Sequence, residues 1–223
     1  MGFSLKHWLR QRREPWSRVF YKAFRQWRAD KMESTRMQFD TIGQGSVVFD
    51  IGGFQGNWAA DIHARYGARI HVFEPHPGFA NDIRSRFRGL DTILTHEFAL
   101  GANEGELILS DDGDASSSFR KAKQSVSGRI KPVSEFFAEH DIARIDLMKV
   151  SIEGGEYDLL PALSDAGIMP RIAILQVQFH LFTEDDIQRR DAIRTRLAKT
   201  HDCDWSYDFV WEQWSLRHSE AAG

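Results

Sequence analysis

Short apolar runs alternate with longer amphipathic stretches between about residues 43 and 200. The first run, Val47–Phe49, leads to Asp50 and a glycine-rich turn, and its length and bounds predict a strand. Further strands are predicted at Arg69–Phe73, Ile93–Leu100, Glu106–Leu109, Ile145–Ile152 and Ile172–Phe179, with helices through Trp58 and Ile62 and over Phe79–Phe87, Ser134–His140, Glu156–Leu163 and Asp185–Lys199. This alternation predicts an α/β fold with a doubly wound, mostly parallel sheet covered on both faces.

Two stretches interrupt the alternation. Asp111–Ser118 is polar and Ser-rich, which predicts a loop. Trp205–Trp214 is an aromatic tail, and we expect it to shape one side of a binding site together with the basic, aromatic segment at the start of the chain.

The first 42 residues differ from the rest of the chain in charge. Residues 1–40 hold ten Lys or Arg against four Asp or Glu, a local charge of +6, which leaves −9 for the remainder. Apolar residues between Val19 and Trp27 recur at helical spacing and predict an amphipathic helix. We therefore divide the chain into a basic, aromatic, helical arm at 1–42 and an α/β domain at 43–223. The helix is interpreted as packing on the domain; the alternatives are a membrane-surface anchor and a platform for an anionic substrate or partner.

The composition narrows the class of protein. A chain of 223 residues, 42% hydrophobic and 27% charged, is typical of one globular domain that needs no covalent staple. The single cysteine, Cys203, excludes an internal disulfide, and the histidines lack metal-ligand spacing, so no metal is expected. No apolar window approaches the roughly 20 residues that span a bilayer, and Lys6 and Arg10 interrupt any secretory segment. We expect a cytoplasmic protein, with peripheral membrane or protein contact through residues 1–40 left open.

A glycine-rich turn and a distant acid indicate a nucleoside site. The first strand ends in Asp50-Ile51-Gly52-Gly53-Phe54-Gln55-Gly56, where the missing side chains let the backbone turn tightly and approach a ligand. Glu74 follows the second strand, 24 residues after Asp50, and its carboxylate can accept both hydrogen bonds of a ribose diol. The chain lacks the glycine patterns of dinucleotide and nucleoside triphosphate binders. The remaining candidate is S-adenosylmethionine.

Five segments occur in the order seen in one methyltransferase family. They are Val47–Gly56, Val72–Pro77, Ala99–Gly101, Leu147–Glu156 and Gln176–His180. Together they resemble the FkbM-type S-adenosylmethionine-dependent methyltransferases over about residues 45–180. The resemblance implies a Rossmann-like class I methyltransferase fold, S-adenosylmethionine as cofactor, and methylation of a hydroxyl, often on sugars or secondary metabolites. The expected partner is therefore a hydroxylated small molecule or glycan.

The resemblance and the strand-end positions give a set of candidate site residues. For cofactor binding they are Asp50, Gly52, Gly53, Gln55, Gly56, Glu74, Phe98, Ala99 and Ser151. For catalysis they are His180, Glu153 and Lys149. His180 is the neutral candidate to receive the hydroxyl proton, a role that accelerates reactions by roughly 10²- to 10⁴-fold; the alternative is a structural histidine. Lys149 lies in an apolar run, so its alternative is a structural ion pair with Glu153 or Asp50.

Two positions depart from the family pattern. The fourth-strand motif, usually Lys-x-Asp-x-Glu-Gly, has Ser151 at the Asp position, and the fifth-strand motif, usually Gln-x-Glu-x-His, has Gln178 at the Glu position. Two neutral replacements support an alternative function, a catalytically impaired methyltransferase-fold binding or assembly partner. A nucleic-acid methyltransferase guided by the basic arm ranks last, because residues 41–223, at −9, repel phosphates and no base-methylating motif is present.

Overall fold

The computed structural model describes residues 13–110 and 125–217, and its main feature is a seven-stranded sheet. The strands are β1 Val47–Ile51, β2 Arg69–Phe73, β3 Ile93–His96, β4 Ala99–Gly101, β5 Gly105–Ser110, β6 Ser125–Pro132, β7 Ile145–Val150, β8 Ile172–Val177, β9 His201–Tyr207 and β10 Trp211–Leu216. The main sheet has the order β3-β2-β1-β7-β8-β10-β9, and β4-β6-β5 form a second, smaller sheet. The loop predicted at Asp111–Ser118 lies outside the described residues, as does the arm before residue 13.

The main sheet confirms the predicted doubly wound, mostly parallel architecture. In the main sheet, each pair of neighbours along β3-β2-β1-β7-β8 is parallel, and β10 is antiparallel to both β8 and β9. The chain moves outward from β1 through β2 to β3, then returns to β7 on the other side of β1. The order therefore reverses between β1 and β7, and ligands of open α/β sheets bind at the carboxyl ends of the strands at such a point.

Both faces of the sheet are covered. The helices are α1 Arg18–Ala29, α2 Met32–Thr35, α3 Asn57–Tyr66, α4 Pro77–Arg86, α5 Val133–Glu139, α6 Glu156–Asp165 and α7 Asp185–Leu197. Successive side chains of a strand point to opposite faces, so β1 supplies both cores. Phe49 packs in the core with α5, α6 and α7, whereas Val48 packs in the core with α3 and α4.

The second sheet corrects the prediction of one strand at Ile93–Leu100. The carbonyl of His96 accepts the backbone N–H of Glu74, which ends the pairing with β2. The chain then pairs Ala99 with Ile130 of β6. Neither β6 nor the hairpin of β9 and β10, which overlaps the aromatic tail, was predicted as strand. Ser, Gly and Pro in β6, and polar residues on both faces of the hairpin, weaken the apolar alternation.

Helix α1 packs its aromatic face against the edge of the main sheet. The Trp27 side chain is 3% exposed, and its ring centroid lies 5.9 Å from that of Trp205 and 5.3 Å from that of Tyr207. This contact supports the interpretation of a lead helix packed on the domain. No helix within the described ranges is long and apolar enough to cross a bilayer. The boundary at residue 42, the cytoplasmic location and any membrane or protein contact of the arm stay predictions.

Candidate active site

A cavity of about 930 Å³ opens at the carboxyl ends of β1, β2 and β7. The turn after β1 and Glu74 line one end of it, and Ser151, Glu153 and Trp211 line another. Ligand sites in proteins commonly have volumes of about 300–1,000 Å³. The cavity is near the upper end of that range, so it has room for a nucleoside and a second group side by side.

The glycine-rich turn forms part of the cavity wall with its backbone. The N–H groups of Gly52 and Gly53 donate to the carbonyl of Phe73 at 2.9 and 3.1 Å, which ties the turn to β2. A Cβ on Gly52, whose φ is +89°, would lie 2.2 Å from the carbonyl oxygen of Ser151. A Cβ on Gly53 would lie 2.2 Å from Cγ1 of Val72. Close packing against Ser151 and Val72 therefore favours glycine at both positions, and the backbone of both residues lines the cavity.

Glu74 is a buried carboxylate whose two oxygens are both held by the backbone. Oε2 accepts the N–H of Phe54 at 2.7 Å, and Oε1 accepts the N–H of His76 at 2.8 Å. Burial raises the pKa of Glu74 to about 7, although these two hydrogen bonds oppose the shift. Each carboxylate oxygen has a further lone pair, so Glu74 can still accept hydroxyl donors from the cavity.

Asp50 and Lys149 form a buried ion pair beneath the turn. The Lys149 ammonium donates to Asp50 Oδ1 and to the carbonyl of Gly52, both at 2.8 Å. Asp50 is fully buried and lies behind the cavity wall, and burial raises its pKa while the ammonium of Lys149 opposes the shift. The structure thus forms the structural pair that was the alternative for Lys149, and this pair holds the glycine turn in place.

His180 lies behind Glu153, between two carboxylates. Its Nδ1 is 3.0 Å from Oε1 of the fully buried Glu156, and its Nε2 is 3.5 Å from Oε1 of Glu153. Burial alone would lower the pKa of His180, but the two carboxylates outweigh it and raise the pKa to about 9. His180 is then a cation at neutral pH, and a cation has no free lone pair for a proton. Its role as the base stays a prediction.

The two neutral replacements contact each other. Ser151 Oγ donates to Oε1 of Gln178 at 2.8 Å, and Ser151 also lines the cavity. A pair of carboxylates this close would repel unless a proton or cation lay between them. The hydroxyl and amide need neither. No group of three or more His, Cys, Asp or Glu residues that could hold a metal ion occurs in the described part of the chain.

Of the remaining predicted cofactor residues, two line the cavity and two do not. Gln55 and Ala99 line the cavity. Gly56 does not: it begins α3 with a φ of +73° and donates its N–H to the carbonyl of Gly53. The Phe98 ring packs 5.9 Å from that of Phe73 and also lies outside the lining.

Most residues on the cavity wall were not among the predicted site residues, and three of them have side chains that can bind a ligand through a positive charge or an indole ring. They are Arg36, Trp58 and Trp211. Trp211 belongs to the aromatic tail that was expected near the site. Trp58 lies two residues after Gly56, the last residue of the glycine turn. Arg36 gave no signal beyond its part in the basic charge of the arm. Arg36 lies on the cavity wall because the arm packs against the main sheet at a position that the sequence does not reveal.

The fold and the site together define a class of protein. The strand order with one antiparallel strand, β10, the glycine turn after β1 and the acid after β2 are those of a class I, Rossmann-like methyltransferase. A family model described as "Methyltransferase FkbM domain" matches residues 50–210 of this chain. The chain belongs to the FkbM methyltransferase family and is an S-adenosylmethionine-dependent methyltransferase, as its motifs indicated.

Solved structures with a similar fold are also methyltransferases. A candidate rRNA methylase from Clostridium thermocellum has a TM-score of 0.53 and 10% identity, covering 86% of this chain and 96% of that one. The N-methyltransferase NodS from Bradyrhizobium japonicum has a TM-score of 0.46 and 13% identity, covering 86% and 96%. An RNA methyltransferase from Salinibacter ruber in complex with S-adenosyl-L-homocysteine has a TM-score of 0.41 and 9% identity, covering 82% and 88%. No curated protein matches the sequence significantly.

The residues on the cavity wall fit S-adenosylmethionine. Gly52 and Gly53 line the cavity without side chains, so the wall that an adenosyl group would contact there is backbone. Glu74 has acceptor capacity for the ribose hydroxyls. Trp58 lines the same cavity, and its buried indole Nε1 has no hydrogen-bond partner among the described residues. This N–H can therefore donate to a bound ligand.

Proposed function

We propose that this protein transfers the methyl group of S-adenosylmethionine to a hydroxyl of a sugar, a glycan or a small metabolite. The observation that carries the proposal is that one cavity is lined by the glycine turn and Glu74 and also by the carboxylate of Glu153. Cofactor and acceptor can therefore meet beside a group able to take a proton. Leu107, Leu109 and Ile130 add an apolar wall suited to an uncharged acceptor.

Methyl transfer from a sulfonium needs alignment more than acid catalysis. The cofactor supplies an activated methyl group: the carbon–sulfur bond breaks, its electron pair stays on sulfur, and a carbon–oxygen bond forms. The enzyme must hold the acceptor oxygen in line with that methyl carbon, and proximity of this kind supplies a large share of the rate. The hydroxyl proton must go to a base.

Glu153 is the best-placed proton acceptor among the three predicted catalytic residues. Its side chain is 34% exposed and lines the cavity. Its φ of +50° is uncommon for a residue with a side chain, and such strain is typical of functional sites. In this proposal His180 orients Glu153, the buried Glu156 fixes His180, and Lys149 fixes the glycine turn. Glu153 is thus the catalytic residue, and the others are positioning residues.

A catalytically impaired binding or assembly partner is the second candidate function. The observation that favours it is the neutral contact between Ser151 and Gln178. A protein of this kind would retain the cavity and bind the cofactor without turnover. The two candidates therefore differ in product formation and agree in cofactor binding.

A nucleic-acid acceptor is less well supported, although the structures from Clostridium thermocellum and Salinibacter ruber are described as RNA-modifying enzymes. Among the described residues that line the cavity, the cations are Arg36 and Lys149, and the acids include Glu104, Asp158 and Asp165. Phosphate contacts dominate nucleic-acid affinity, and an acidic cavity disfavours them.

The proposal is tested in two steps. First, S-adenosylhomocysteine at millimolar concentration should raise the melting temperature, because a ligand that binds only the folded state stabilises it; no shift would remove the proposal. Second, hydroxylated acceptors, sugars foremost, are screened for release of S-adenosylhomocysteine. Turnover that disappears in Glu153→Gln supports the enzyme. Binding without turnover across the screen favours the second candidate, and a steep salt-dependent affinity for RNA would favour a nucleic-acid acceptor.

A further inference from the structure

Arg36 is a buried cation on the cavity wall with unused hydrogen-bond donors. Its side chain is 9% exposed, and its guanidinium carbon lies 4.3 Å from the ring centroid of Trp211. Nη2 donates to Oε1 of the exposed Glu33 at 3.1 Å. Nε and Nη1 are buried, and no acceptor within residues 13–110 and 125–217 bonds to either of them. A buried donor without a partner destabilises the folded protein, and more so when the donor is charged. Such an arrangement favours an anion as ligand.

The backbone around Arg36 is held in place from the sheet. The side chain of the fully buried Gln176 on β8 donates to the Arg36 carbonyl at 2.8 Å, and the Arg36 N–H donates to the carbonyl of Met32 at 2.9 Å. The guanidinium is therefore preorganised, with its stacking on Trp211 limiting its rotamers. These contacts hold the Arg36 side chain on the cavity wall, unlike an exposed surface arginine.

A second unused donor lies on the same cavity. Trp58 Nε1 is buried without a partner among the described residues, and Trp58 lines the cavity together with Arg36. Lys149, the other described cation on the wall, already donates to Asp50 and to the Gly52 carbonyl. Of these two cations on the described cavity wall, Arg36 is thus the one with buried donors that no described residue accepts.

We propose that Arg36, with Trp58 Nε1 as a second donor, binds the α-carboxylate at the amino acid end of the cofactor. This inference rests on the proposed methyl transfer and adds the group that anchors the end of the cofactor opposite the ribose. The strand order supports the assignment. Glu74 lies at the tip of β2, the glycine turn lies at the tip of β1, and Arg36 lies beyond β1, over Trp211 of β10. A ligand whose ribose is held by Glu74 and whose middle crosses the turn therefore points its far end toward Arg36.

The test measures how two ligands respond to Arg36→Gln. S-adenosylhomocysteine has the amino acid end, and 5′-methylthioadenosine lacks it. Hydrogen bonds to charged groups contribute about 1.5–3 kcal/mol, so we expect calorimetry to show about 10- to 100-fold weaker binding of S-adenosylhomocysteine by the variant. Binding of 5′-methylthioadenosine should change less than about twofold. Arg36→Lys, which keeps the charge and loses the planar donor set, should be intermediate.

The controls separate a local effect from a folding defect. Arg65→Gln removes an exposed arginine on α3 and should leave both affinities unchanged. Trp58→Phe keeps an aromatic ring at this position and removes Nε1, so it should weaken binding of S-adenosylhomocysteine more than binding of 5′-methylthioadenosine. It tests the site independently should Arg36→Gln fail to fold.

Three outcomes would overturn the inference. Unchanged S-adenosylhomocysteine affinity in Arg36→Gln excludes the cofactor carboxylate, and a raised KM for an anionic acceptor in the same variant would assign the site to the acceptor. Equal losses for both ligands would make Arg36 merely structural. A parent protein that binds neither ligand contradicts the proposed function itself, which distinguishes that failure from the failure of this inference.

Discussion

The two ends of the cavity are built in different ways. At the β2 end, which consists of Gly52, Gly53 and Glu74, every hydrogen bond that holds the site uses a backbone group. The turn donates to β2, the Glu74 carboxylate accepts two backbone N–H groups, and Lys149 donates to the Gly52 carbonyl. At the β8 end, Ser151 and Glu153 line the cavity and are held by side chains that do not line it: Ser151 bonds to Gln178, and Glu153 contacts His180. Backbone geometry tolerates few substitutions, whereas a side-chain network can change its chemistry one residue at a time. The two ends of the cavity are therefore expected to respond differently to substitution.

The largest effect is expected from Glu153→Gln at the β8 end. If Glu153 receives the hydroxyl proton, the variant should lower kcat by roughly 10²- to 10⁴-fold. The affinity for S-adenosylhomocysteine should remain the same, because the β2 end is untouched. Steady-state kinetics and calorimetry on the same preparation check both halves. Unchanged kcat would show that Glu153 is not the base.

Gly52→Ala should damage the β2 end. The new Cβ would meet the Ser151 carbonyl at 2.2 Å with a φ of +89°, so backbone must move. We expect the free energy of unfolding to fall by about 1–3 kcal/mol, together with a loss of cofactor affinity. Gly43→Ala is the matched control, since nothing lies within 4 Å of its Cβ. Urea unfolding curves of the two variants should differ; coinciding curves would contradict the close approach.

Cofactor affinity should depend on pH through Glu74. The folded protein without ligand has a Glu74 pKa of about 7, and the ribose hydroxyls bond best to the ionised carboxylate. Binding therefore requires loss of a proton below pH 7. We expect S-adenosylhomocysteine to bind about tenfold more weakly at pH 6 than at pH 8, with a plateau above pH 8. Calorimetric titrations across this range test it, and Glu74→Gln should remove the dependence.

The smallest effect is expected from Ser151→Ala. The variant loses one hydrogen bond to Gln178, which is worth about 0.5–1.5 kcal/mol in the free energy of unfolding. Thermal denaturation beside the parent measures it. A parallel activity assay sharpens the comparison: a fall in kcat much larger than this loss of stability would mean that the Ser151 hydroxyl contacts the acceptor.

The motifs predicted the β2 end more fully than the β8 end. The glycine turn and Glu74 were found because strand ends and glycine conformation depend on local sequence. The ion pair of Lys149 with Asp50 was left as an alternative, because spacing along two strands shows only that they could be neighbours. The charge of His180 was not predictable, since it depends on the burial of Glu156 and on the turn that brings Glu153 within 3.5 Å.

The sequence by itself determined the alternation of strands and helices, the cofactor turn, the strand-end acid and the family, because each depends on residue order over short spans. The tertiary structure alone decided which side chains share the cavity. Arg36 from the arm, Trp58 from α3 and Trp211 from the last strand meet there only because α1 packs on β9 and β10 inserts beside β8. Contacts between segments so far apart arise from packing in three dimensions, which local spacing does not encode.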